Sequence, residues 1–146
     1  MKKHRIILST MLLGLFFGTV ASHSAQNAPT ATGKLERHAS MVGLVRTINT
    51  LEVTETSQYG SYEPWPILLA HHQEDFNSWL KRFYSSNEPN VQFRDALEIL
   101  PEWNLRLNVQ ADGKGYVLLL IDASDKTGSA WASDESGIIR ECKYLQ

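Results

Sequence analysis

The chain has one cysteine, Cys142, in 146 residues. A lone thiol cannot close an intramolecular disulfide. None stands near residue 20 either, which excludes a lipoprotein-type anchor. Beyond the first five residues no three basic side chains stand together, so a polyanion would meet no focused positive field and nucleic acid is excluded as a partner. The longest apolar stretch, residues 6–20, is 15 residues, short of the ~20 that a membrane-crossing helix needs. Repeats and low-complexity tracts are absent, and no nucleophile elbow or triad pattern is present. No catalytic residue, cofactor or metal is expected.

What is present begins with an address. Lys2, Lys3 and Arg5 precede that apolar stretch, and Ala21, Ser22, Ser24 and Ala25 follow it. This is the layout of a cleaved export signal, placed at 1–25. The product is expected outside the cytoplasm, periplasmic or extracellular, with no membrane span after cleavage. The n-region carries three of the 14 Lys and Arg residues and none of the 16 acids, leaving 11 against 16, a net charge of −5. Residues 26–33 are polar, with Pro29 and Gly33, and read as a flexible tether. Residues 34–146 form one domain.

From 34 to 58 apolar residues recur at helical spacing (Leu35, Ala39, Met41, Val42, Leu44, Val45, Ile48, Leu51), an amphipathic stripe broad enough to face a sheet. Gly43 and the threonines at 47, 50, 54 and 56 weaken its intrinsic propensity, and Gly60 offers a C-terminal cap. Pro64-Trp65-Pro66 disfavours regular structure. Residues 73–84 read as a second helix on Phe76, Trp79, Leu80 and Phe83, with a break at 87–90 and a short helical turn over 94–100. Alternation at 105–110 marks a half-buried strand. A turn at 112–115, an apolar run at 116–121 and strands at 129–133 and 138–145 complete an antiparallel meander. The fold class is α+β: a long N-terminal amphipathic helix packed on a C-terminal three- to four-stranded antiparallel β-meander.

Two segments carry a family likeness. Arg46-Thr47-Ile48-Asn49-Thr50-Leu51-Glu52-Val53-Thr54, with Tyr59-Gly60-Ser61-Tyr62 after it, is similar to the end of the first helix and the following loop in bacterial pilin-like proteins. Ser133-Asp134-Glu135-Ser136-Gly137-Ile138-Ile139-Arg140 resembles the turn into their last strand. The chain thus resembles type IV pilins and pseudopilins over roughly 34–62 and 105–146. It departs from them at its start: the short leader and continuous apolar half-helix of that family are replaced by an export signal and a tether. The resemblance implies the globular half of a pilin, exported free, that contacts an envelope or filament protein beside a pilus or secretion apparatus. A binding module for a small ligand or peptide is the second expectation.

Candidate sites are few. His71, His72, Glu74 and Asp75 have metal-ligand chemistry, with Asp75 one helical turn from His71 and His72; an acidic first helical turn in solvent explains them without a metal. The resemblance brings calcium into view at Asp112, Asp122, Asp125, Asp134 and Glu135, since some pseudopilins hold it in a C-terminal loop. Calcium needs six to eight converging oxygens, whereas the 122–128 and 133–137 loops fall at opposite ends of a meander, so these acids are read as turn formers. Cys142 shares a strand side with Ile138 and Tyr144 and is assigned to the core. The aromatics Trp65, Trp79, Phe83 and Trp103 are the candidate interaction surface. The apolar run 116–121 faces both ways, and the middle segment is expected to cover its second face.

Overall fold

The computed structural model describes residues 31–83 and 91–144. The expected export signal, tether residues 26–30, the break at 87–90 and the end of the last expected strand lie outside the described residues. Among the described residues the fold is α+β: three helices, then a five-stranded antiparallel sheet in chain order.

Helix α1 spans Ala31–Tyr59. It takes in the last three expected tether residues, 31–33. Its buried side is Met41, Leu44, Val45, Ile48 and Leu51, the i, i+3, i+4, i+7 stripe. Leu35 and Ala39 are exposed. Past Leu51 the stripe continues as Glu52 and Glu55, both buried, so the apolar pattern ends one turn before the packing does. Thr47, Thr50 and Thr54 donate to the carbonyls four residues back (3.0–3.1 Å), which reconciles them with a helix. Gly60 closes it with φ of 80° and an N–H donated to Thr56 O at 2.9 Å.

Pro64-Trp65-Pro66 does not break structure; it starts helix α2, Trp65–His71, with Pro64 as N-cap and Pro66 in the first turn. Proline is tolerated there because the missing N–H would have had no helical acceptor. Helix α3 is Gln73–Phe83. The helical turn expected over 94–100 is instead bend and strand: β1 is Glu98–Leu100 and β2 is Trp103–Val109. Pro101 at the second turn position and Glu102 at φ 67° reverse the chain between them, so proline ends a strand here. Strand β3 is Tyr116–Asp122, β4 is Ser129–Asp134 and β5 is Arg140–Lys143. The sheet therefore has five strands, not three or four. β5 starts two residues late because Asp134, Ser136 and Gly137 (φ 70°) hold the turn, and pairing resumes at Arg140 opposite Ala132.

Register divides the sheet faces. Trp103, Leu105, Leu107 and Val109 lie opposite Asp122, Leu120, Leu118 and Tyr116 on the inner face, continued by Ser129, Trp131 and Ser133. Helix α1 crosses β3 and β4 there: Asn49 Nδ2 donates to Ser133 Oγ at 2.8 Å, and Tyr116 Oη donates to Asn49 Oδ1 at 2.9 Å. At the other end Arg37 holds Asp122 with a bidentate pair at 2.5 and 2.9 Å. The middle segment packs beside α1 on this same face. Its rings join Trp103 through Trp79 (5.8 Å) and run on through Phe93 and Phe76 to Trp65. Its described residues do not cover the second face, where Val117 is 55% exposed and Arg106 reaches across to the Tyr144 ring. Helices of seven and eleven residues bury their aromatics where a core already exists.

Candidate functional site

Two concavities flank α1. Between its exposed flank and the β4–β5 edge lies a groove of about 750 Å³, lined by His38, Val42, Arg46, Thr50, Val53, Trp131, Ile139 and Glu141. On the opposite flank, between α1 and α3, lies a cleft of about 400 Å³ lined by Gly43, Arg46, Thr50, Asp75, Trp79, Arg82 and Phe83. Arg46 and Thr50 belong to both and form the ridge between them. Helical geometry sets this arrangement, since residues four apart stand one above the other on one side of the rod.

Each concavity has a tryptophan in its wall. Trp131 and Trp79 are each 4% exposed, and neither indole N–H has an acceptor among the described residues. Trp65, by contrast, donates to Arg94 O at 2.9 Å. A buried donor left unpaired costs about 1–3 kcal/mol. His38 packs edge-on against Trp131 at 5.1 Å. Arg46 and Arg82 are exposed and make no ion pair among the described residues; Arg82 lies 5.8 Å over the Phe83 ring.

Of the four aromatics proposed from sequence, Trp65 and Trp103 are core (6% and 2% exposed), Trp79 is a core residue that also lines the cleft, and Phe83, 42% exposed, stands in its wall. Arg46, Arg82 and Trp131 escaped sequence reading. The one signal for Arg46 was its place in an apolar-flanked helix beside Gly43, with no acid three or four residues away.

The histidine–acid cluster is also assembled, in another role. Glu55, 1% exposed, has Oε1 within 2.7 Å of His72 Nε2 and 3.1 Å of His71 Nδ1. His72 Nδ1 lies 3.4 Å from Asp75. Glu52, fully buried, accepts the Glu63 N–H at 3.0 Å. Glu52 Oε1 and Glu55 Oε2 have no hydrogen-bond partner among the described residues. Burial pushes the Glu52 carboxyl up to about 7, helped by the charges of Glu55 and Glu63 and opposed by the Glu63 N–H. The Tyr116 phenol is pushed up as well, by burial and then by Glu52. These groups tie the α2–α3 junction to α1. Among the described residues no set of three or more His, Cys, Asp or Glu side chains is arranged to hold a metal ion.

The meander acids bond their own turns: Asp112, Asp122, Asp125 and Asp134 each accept the backbone N–H two residues on, at 2.8–3.0 Å. Cys142 is not core; it is half-buried on the outer face opposite Ala130. Burial and Glu141 push its thiol up, away from the reactive thiolate. Among the described residues no helix is long and apolar enough to cross a membrane. No family model, curated protein or solved structure matches the chain.

Proposed function

We propose that the chain is an exported, non-enzymatic interaction module on the pilin-like α+β plan, which contacts a protein of a pilus or secretion apparatus through the exposed flank of α1. The observation that carries this reading is the ridge of Arg46 and Thr50 with a tryptophan-walled concavity on either side. An arginine without an ion pair among the described residues, beside exposed apolar side chains such as Val53 and Phe83, has the composition of a protein-binding hot spot. The other end of the fold is engaged internally, since Arg37 is committed to Asp122 and Glu102.

Co-sedimentation of the purified protein with pilus or secretion filaments from the source cells tests this role. Binding is expected, and Arg46→Glu is expected to weaken it at least tenfold without lowering thermal stability, because Arg46 is exposed. Absence of both co-sedimentation and cross-linking to any envelope component overturns the role. Export is checked by N-terminal sequencing of the soluble and membrane fractions. A start between residues 22 and 26 in the soluble fraction is expected, and an intact Met1 in membranes contradicts it.

A further inference from the structure

We infer that the cleft between α1 and α3 is a carboxylate site, shaped for an acidic side chain of the partner. Naming the partner as the source of that carboxylate rests on the interaction reading above; the chemistry of the cleft does not. Two guanidinium groups, Arg46 from α1 and Arg82 from α3, line one cleft of about 400 Å³, and neither is neutralised by an ion pair among the described residues. The acid in the lining, Asp75, is turned to His72 Nδ1 at 3.4 Å. Arginine binds carboxylates with paired, charge-assisted hydrogen bonds, so two of them on facing walls select an anion with planar oxygens.

A second, independent feature sits in the same cleft. The Trp79 indole N–H, in a side chain 4% exposed, has no acceptor among the described residues. It lies against Gly43, where a methyl group would stand 3.6 Å from Nε1. The cleft thus offers positive charge, and behind its Gly43 wall a buried donor without an acceptor among the described residues; an anionic oxygen seated past Gly43 answers both. Phe83, 42% exposed, supplies an apolar wall for the methylenes of a glutamate-like side chain.

The test is a titration of the full chain followed by 15N–1H correlation spectra of its four tryptophan indoles, with Trp79 assigned by Trp79→Phe. The probes are an N-acetylated, C-amidated diglutamate peptide, the matching diglutamine peptide, and succinate. The diglutamate peptide is expected to shift the Trp79 indole resonance to saturation while diglutamine leaves it in place. Arg46→Gln and Arg82→Gln are each expected to weaken binding about tenfold, the scale of one charged hydrogen bond. Gly43→Ala separates a site from a structural role: alanine favours a helix, so the fold should be at least as stable while the new methyl, 3.6 Å from Nε1, blocks the approach to the N–H and binding falls. A Trp79 resonance that ignores diglutamate, or that follows diglutamine equally, overturns the site. Succinate binding as tightly as the peptide overturns the assignment to a partner side chain. A positive titration beside failed co-sedimentation defeats the role above and leaves the carboxylate site standing.

Discussion

Asn49, 7% exposed, is where helix and sheet are fastened by polar groups. Its amide nitrogen donates to Ser133 and its oxygen accepts from Tyr116 (2.8 and 2.9 Å). Asn49→Leu would strand the Tyr116 hydroxyl as a buried donor, so chemical denaturation should show a loss of about 2–3 kcal/mol. Glycines give a sharper contrast. Gly128 has φ of 72°, and a Cβ there would lie 2.3 Å from the Tyr144 carbonyl oxygen, while Gly137 has φ of 70° and open space around it. Gly137→Ala should cost only the left-handed backbone penalty, roughly 1–2 kcal/mol. Gly128→Ala should cost more, because the clash is with backbone and displaces the end of β5. Equal thermal midpoints for the two variants would contradict this. In the sequence both glycines read simply as turn residues; only the strand alongside tells them apart.

At the scale of elements, the carboxylates beneath the α2–α3 junction make stability depend on pH. Glu52 is raised from 4.5 to about 7 in the folded protein, so between those values the folded state holds a proton that the unfolded chain has released. Its contribution is complete below about 4.5 and is lost as pH rises through 7, an effect of roughly 3 kcal/mol. Asp122 works in the opposite sense. Burial pushes its carboxyl up, but the hydrogen bonds from Arg37 and Ser124 outweigh that and hold it below 3.8, so its contribution is lost only in acid. Denaturant midpoints should therefore fall from pH 5 to pH 8 in the wild type. Glu52→Gln should flatten that slope and be the more stable protein at pH 8; an unchanged slope would contradict the assignment. The order of elements is largely legible: α1 follows from a period of 3.6, β2 from alternation, and β3 and β4 from short runs bounded by turns. The middle is not, because Pro64 and Pro66 suggest a break from their own chemistry alone, whereas their neighbours make them a helix start. Nor did Glu52 and Glu55 look buried, since nothing in their local pattern shows the loop that closes over them.

For the whole molecule, all three helices share one face of the sheet, and this places the α1 ridge between two concavities while the outer face of β3 stays partly open. The sequence points to Trp65, Trp79, Phe83 and Trp103 as the interaction surface, and of these Trp79 and Phe83 line the cleft. It missed the arginines, because a charge on a helix looks alike whether it faces a cleft or open water until the neighbouring helix is placed. The claim that a partner is taken on α1 is tested most directly by a photoreactive amino acid put at Thr50 on the ridge or, separately, at Val117 on the outer face, both exposed, in cells carrying the intact envelope. Cross-linking to a filament or secretion protein at position 50 and not at 117 is the result expected here. Cross-linking at 117 alone would contradict it.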